Sequence, residues 1–324
     1  MDFELSDDEQ LLAEGIRRLC AGRFSMDHVR AGEGRQKLDQ GDWAALADFG
    51  VFSLRLPEAA GGLGLGLAHA AVVFEELGRS LVPGPLVSSH VTAGLVDGAG
   101  SGEVVVGVVR ERSGAPIVPT LIGDLPSLGA LVVIDGDGLR RVDPASVDGR
   151  AVERAADPLT PLWAVDRLPA GERVAGAQMA ATLWTDFLVL EGALLAGMAA
   201  ATTELAVEYA KGREQFGRPI GSFQAVKHLC ADMLVRAETA RAAVHAAALT
   251  VDQPDVGDAT LAATGAALLA SEAAVTNAKT CVQVHGGMGF TWEVPVHLYL
   301  NRARLVSGSI GPASALAEAI AERF

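Results

Sequence analysis

The sequence predicts a mainly helical protein with a small β-domain in its middle. Three observations carry that expectation. Apolar residues recur at helical spacing from residue 1 to about 95, and again from about 179 to the end. Between about 96 and 178 the pattern changes to short β-branched runs separated by Gly, Pro and Asp. The last third is rich in alanine, and small residues let helices approach closely, as in a bundle. The expected organisation is therefore an N-terminal helical domain (1–95), a short antiparallel β-domain (96–178) and a C-terminal four-helix bundle (179–324).

Each element has a local reason. Ser6 with Glu9 is a capping box, and Leu11, Leu12, Ile16 and Leu19 form an apolar stripe behind it. Trp43, Leu46 and Phe49 give a second helical face, ended by Gly50. The run from Pro57 to Gly66 is glycine-rich. Its Gly62, Gly64 and Gly66 could suggest a phosphate cradle, but no clear strand precedes them, so they read as a structural turn. Ala68 to Leu77 is the next helix, stopped by Pro83, Gly84 and Pro85. Strands are expected at Val104–Val109, Ala130–Ile134 and Leu139–Val142. Thr182–Gly212, Ser222–Thr250 and Asp258–Val284 read as long helices, and Val296–Leu305 starts another. The most apolar run, Phe187–Ala201, contains Glu191 and several small residues, which fits a buried core helix better than a membrane span.

Composition bounds the function. Half of the 324 residues are hydrophobic, which excludes a disordered chain. A formal net charge of -14 argues against nucleic acid or an anionic membrane as the main partner. Cys20, Cys230 and Cys281 are few and scattered, and the N-terminus is acidic and unlike a signal peptide. Both point to a reduced, cytoplasmic protein. The seven histidines show no metal-ligand spacing, so no metal is expected, and no Ser–His–acid set is apparent.

The stretch with most chemistry runs from Tyr209 to Arg241. Gly217, Pro219 and Gly221 interrupt the helical pattern, and Ser222 is a natural N-cap for the helix that follows. The turn brings Arg213, Phe216 and Gln224 toward a helix N-terminus, whose unpaired N–H groups suit a phosphate. The pattern Arg213, Phe216, Gly217, Pro219, Ile220, Phe223, Gln224 resembles the signature of the acyl-CoA dehydrogenase family. Gln283-Val284-His285-Gly286-Gly287-Met288-Gly289-Phe290 agrees downstream. Pro57-Glu58-Ala59-Ala60-Gly61-Gly62-Leu63-Gly64 and Glu75-Glu76-Leu77-Gly78-Arg79 agree upstream.

The resemblance implies an α,β-dehydrogenation of an acyl-CoA thioester. A glutamate removes the α-proton while the β-hydride passes to FAD, and electron-transfer flavoprotein is the implied acceptor. It also implies that Arg213 meets the FAD pyrophosphate across a subunit interface. Phe216 and Gln224 would lie against the adenosine half, and Gln283, Gly286 and Gly287 would meet the same tail. His285 reads as structural. The family's flavin-ring loop and strand are missing between Gly98 and Gly176. Asp157-Pro158-Leu159-Thr160 and Leu162-Trp163-Ala164-Val165 are faint echoes of them. The usual glutamate is missing too: its two family positions fall at Ile310 and Phe187. Asp186 is adjacent to Phe187 but rotated ~100° around the helix, and Glu191 lies one turn further on. Glu191 reads as a structural residue, with a relocated base as the alternative.

The resulting expectation is a subunit that supplies the FAD adenosine and pyrophosphate clamp to a catalytic acyl-CoA dehydrogenase paralogue, resembling the unequal-subunit enzymes of actinobacterial steroid catabolism. One alternative is a self-sufficient homo-oligomer that uses Glu191 or performs hydroxylation. The other is a non-enzymatic, degenerate scaffold.

Overall fold

A computed structural model describes residues 5–111 and 119–323. Residues 112–118 of the expected β-region lie outside the described residues. Helix α1 (Asp7–Arg23) begins on the capping box: the Ser6 hydroxyl accepts from the Glu9 N–H, and the Glu9 carboxylate accepts from the Ser6 N–H at 2.8 Å. After α2 (Met26–Arg30), helix α3 (Gln40–Phe49) starts on Asp39 and ends at Gly50, whose φ is 90°. The glycine-rich run then makes a 3₁₀ turn at Glu58–Ala60. A Cβ on Gly62 would lie 2.1 Å from the Leu56 carbonyl oxygen, so that glycine answers to close packing within the turn. Helices α4 (Leu67–Arg79) and α5 (Leu86–Val91) follow.

Among the described residues seven strands come next: β1 (Val106–Arg110), β2 (Thr120–Gly123), β3 (Ala130–Asp135), β4 (Gly138–Val142), β5 (Arg150–Ala151), β6 (Leu162–Val165) and β7 (Glu172–Gly176). They form one sheet of order β1-β3-β4-β7 and another of order β2-β6-β5. The pairings are antiparallel with one correction to the expectation: β1 runs parallel to β3. The chain leaves the first sheet after β1, contributes β2 to the second, and re-enters in the same direction, which forces a parallel neighbour. Val132, Ile134 and Leu139 pack on Val96 and Leu183 on one face, and Leu131 and Val133 pack on Ile122 and Trp163 on the other.

The C-terminal part holds α6 (Ala177–Gly212), a hairpin of β8 (Glu214–Gln215) and β9 (Arg218–Pro219), α7 (Gln224–Asp252), α8 (Ala259–His285), α9 (Val296–Ile310) and α10 (Ala313–Ala321). Ser222 is not the N-cap of α7. It closes a 3₁₀ turn, Ile220–Ser222, so the N-cap falls one residue later on Phe223, with no side-chain cap, and the helix begins at Gln224. Small residues act as expected. A Cβ on Gly197 would sit 1.9 Å from the Glu75 carbonyl oxygen, and one on Gly78 would sit 2.1 Å from that of Leu194. Asn277 of α8 is fully buried and ties three helices together. Its amide donates to Met233 O, Ala199 O and Thr203 Oγ1, and its oxygen accepts from Arg236 Nε at 2.8 Å.

The chain divides into two compact units, one of residues 1–28, 71–82 and 188–324 and one of residues 29–70 and 83–187. Among the described residues, two helices, α6 and the α8 segment through Phe290, are long and apolar enough to meet the length and composition criterion for a membrane span. The apolar window of α6 is 89% buried, a core helix as expected, whereas that of α8 is only 39% buried.

Candidate functional site

The site grows out of the end of α6. The Arg213 N–H closes the helix on Tyr209 O, and the Ile220 N–H returns to Arg213 O, both at 2.8 Å. These bonds pin the β8–β9 hairpin, in which Gln215 pairs with Arg218 across Phe216 and Gly217. Both turn residues have positive φ, 54° and 75°, the requirement of a two-residue type I′ hairpin turn. Glycine meets it without strain, but phenylalanine does not. Phe216 is nevertheless held there with 91% of its surface exposed, its ring edge-on to Phe223 at 6.1 Å. A strained backbone presenting a bare aromatic ring is the mark of a contact made outside the chain.

The end of α8 faces this hairpin. Gly286 ends the helix with φ 59°, and a 3₁₀ turn runs on to Phe290. An open pocket of about 460 Å³ lies between the two elements, lined by Arg213, Tyr209, His285, Gly286 and Gly287 among others. Three of the six residues singled out in the sequence, Arg213, Gly286 and Gly287, thus meet in one pocket. The other three lie outside its lining: Phe216 at the hairpin tip, Gln224 exposed at the first position of α7, and Gln283 exposed in the last turn of α8. Among the described residues, the side chains of Arg213, Gln224 and Gln283 have no hydrogen-bond or ion-pair partner. A Cβ on Gly286 or Gly287 would meet nothing within 4 Å. Gly287 has no positive φ either, so neither packing nor backbone conformation inside this chain demands a glycine there.

Sequence reasoning passed over the pairing of Tyr209 with His285. Their rings stack at 4.1 Å and 22° in the pocket wall. The available signal was Tyr209 one helical turn before Arg213, on the same face.

The two positions expected from the sequence for a catalytic base are buried and apolar. Phe187 is 3% exposed and stacked on Trp184 at 5.2 Å, and Ile310 is 4% exposed. Asp186 is tied to Arg55 Nη1 at 2.6 Å. Glu191 is buried in its unit, with Arg302 the charged group that acts on it. Burial pushes its carboxyl up to about 8, against a smaller opposing effect of Arg302. No hydrogen bond reaches that carboxyl among the described residues. The two faint echoes in the β-region serve the fold. Asp157 caps its own turn through Leu159 N–H and Thr160 Oγ1, and Trp163 sits in strand β6 within a core.

Comparison with known proteins identifies the family. The acyl-CoA dehydrogenase N-terminal domain matches residues 6–104, and the acyl-CoA dehydrogenase C-terminal domain matches residues 189–324. The chain belongs to the acyl-CoA dehydrogenase family. It is 33% identical to acyl-CoA dehydrogenase IpdE2 of Mycolicibacterium smegmatis over 95% of this chain and 96% of that protein. It is 38% identical to acyl-CoA dehydrogenase FadE34 of Mycobacterium tuberculosis over 83% of this chain, but spans only 40% of that longer protein. The fold matches a chain of the ChsE4–ChsE5 complex of Mycobacterium tuberculosis, with a TM-score of 0.85 and 25% identity over 100% of this chain and 98% of that one. It also matches a chain of the Tcur3481–Tcur3483 steroid acyl-CoA dehydrogenase, with a TM-score of 0.84 and 25% identity over 98% and 97% of the two chains. The acyl-CoA dehydrogenase architecture of N-terminal helices, middle β-sheets and C-terminal helices is thus the observed one.

Proposed function

We propose that this chain is one subunit of a heteromeric, FAD-dependent acyl-CoA dehydrogenase, and that it supplies the adenosine and pyrophosphate clamp for a flavin held mainly by a catalytic paralogue. Proteins of this family are flavoproteins that bind FAD, and the residues at the pocket fit the tail of that group. Arg213 offers a guanidinium with no internal partner, suited to paired phosphate oxygens. Gly286 and Gly287 leave room for a ligand to reach the backbone. The exposed Phe216 ring offers a stacking face, and Gln224 and Gln283 offer amide donors and acceptors. When bound, FAD would supply the hydride acceptor for the β-carbon of the thioester. This chain would anchor the tail and exclude water from it, while the partner would supply the proton-abstracting glutamate.

The observation that carries the reading is the pocket itself: a guanidinium without an internal partner beside Gly287, a glycine that neither packing nor backbone conformation inside the chain requires. The exposed Phe216, Phe290 and Trp292 rings, with exposed Leu234 and Val235 on α7, support a protein partner, because large apolar groups left on a surface are often covered in an assembly. The ChsE4–ChsE5 and Tcur3481–Tcur3483 matches support a second, unequal chain, and the steroid dehydrogenase among them suggests a bulky ring-bearing acyl group. The test is co-expression with a neighbouring dehydrogenase paralogue, followed by light scattering and flavin counting. A heteromer that binds FAD and turns over, beside an isolated chain that is flavin-free and inactive, is expected. A stable, FAD-replete, active homo-oligomer would refute the proposal. One observation favours that second reading: Glu191 is a buried carboxyl with the raised pKa of a general base.

A further inference from the structure

We propose that His285 contacts the nucleotide. In this view it is a neutral imidazole in the Arg213 pocket whose Nε2 accepts a hydrogen bond from a hydroxyl or amino donor on the adenosine half of the bound dinucleotide. The proposal rests on the clamp reading and goes beyond it by giving a residue that reading left structural a role in recognising the ligand.

Three features define the imidazole. It lines the pocket, is 6% exposed, and is held flat against the Tyr209 ring at 4.1 Å. Its Nδ1 lies 2.8 Å from the Cys281 carbonyl oxygen. A carbonyl only accepts, so Nδ1 carries the hydrogen, and in the neutral ring Nε2 is then a bare lone pair. The ring stays neutral because burial holds its pKa below the usual histidine value. The Cys281 thiol, 3.7 Å from Nδ1, is pushed by burial to about 12 and brings no negative charge. Among the described residues Nε2 has no hydrogen-bond partner. Nε2 is thus an acceptor without an internal partner, on a ring held against Tyr209 in the pocket wall, and it can take a hydrogen bond from a donor that enters the pocket.

Electrostatics decides which part of the ligand that is. A bare lone pair repels phosphate oxygens, which are also acceptors, so the pyrophosphate falls to Arg213. What remains is the nucleoside: its ribose hydroxyls and the adenine amino group both donate.

The test uses the deflavinated heteromer with three nucleotides that compete with FAD: ADP, 2′,3′-dideoxy-ADP, which lacks both ribose hydroxyls, and inosine diphosphate, which lacks the amino group. The wild type should favour ADP over one of the two analogues by about fivefold, the scale of one neutral hydrogen bond. His285→Phe keeps a ring against Tyr209 but removes both nitrogens. It should bind ADP about fivefold more weakly and lose that discrimination. Unchanged ADP affinity with unchanged discrimination in His285→Phe overturns the proposal. If Arg213→Ala weakens ADP binding in the same series, the clamp reading survives that result; if Arg213→Ala is also silent, the clamp reading falls with it. Should His285→Phe fail to assemble, the wild type decides alone, since equal affinity for all three nucleotides excludes a donor to Nε2.

Discussion

Glu191→Gln separates a structural carboxyl from a relocated base. Burial raises the Glu191 pKa from an ordinary 4.5 to about 8. The folded chain therefore holds a proton that the unfolded chain has released at neutral pH. Between those two values the native state binds more protons, so stability must fall as pH rises. Each pH unit of that interval is worth about 1.36 kcal/mol, which bounds the penalty at about 5 kcal/mol by pH 8. Glutamine reproduces the shape of the protonated acid and does not titrate. The variant should match the wild type near pH 4.5 and become progressively more stable than it up to pH 8, with the gap widening by up to about 1.36 kcal/mol per pH unit. Chemical unfolding at a series of pH values measures the gap directly, because groups common to both proteins cancel. Turnover of the heteromer should stay within a few-fold of wild type. A gap independent of pH would refute the assignment of Glu191 as a buried neutral acid. A turnover loss of ~10²–10⁴-fold with FAD content intact would make Glu191 the base.

Other substitutions probe the clamp and the bundle. Arg213→Ala should raise the FAD dissociation constant of the heteromer roughly ten- to hundredfold, by titration, without changing the unfolding midpoint. Gly287→Ala should leave thermal stability unchanged, since its Cβ meets open space, yet weaken FAD retention. Gly197→Ala should destabilise by at least ~1–3 kcal/mol in the same melts, because its Cβ would overlap the Glu75 carbonyl. Asn277→Ala should cost ~2–4 kcal/mol, since it leaves the Met233 carbonyl and the Arg236 Nε without their shared partner. His90 is buried, and its pKa is lowered from 6.5 to about 4, so stability should drop as pH falls through that window; His90→Gln should flatten the drop.

Helices were legible because their signals are local. The Ser6–Glu9 capping box and the Gly50 stop lie within a few residues of what they control. The sheets were less legible: β2 and β5–β7 are short and hold no period long enough to read, and the parallel β1–β3 pairing follows from which sheet the chain visits between them. The start of α7 was misplaced for a related reason. Ser222 has the chemistry of a cap, but the hairpin bond from Ile220 to Arg213 imposes a 3₁₀ turn first. At the site, Arg213 and the two glycines were readable from motif and resemblance. The Tyr209–His285 stack was not, because 76 positions of sequence separate two rings that only the fold brings together.

The distribution of charge bears on the proposed clamp. The chain carries -14 overall and has four lysines, Lys37, Lys211, Lys227 and Lys279. Lys211 ends α6, Lys227 lies in the first turn of α7, and Lys279 stands one turn before Gln283 on the same face of α8. Glu208 offsets Lys211 at 2.7 Å, but Arg213 and Arg218 add to the same region. Arg213 is thus the cation that lines the pocket, with Lys211 and Arg218 close to it in the chain, which is where a dianionic pyrophosphate would need positive charge. In the proposed reading a base acts through one carboxylate at one position, so a single substitution removes it. A clamp is spread over a helix end, a hairpin and a helix terminus that the fold needs anyway. In a complex where the partner provides the base, selection on this chain would bear on the clamp alone.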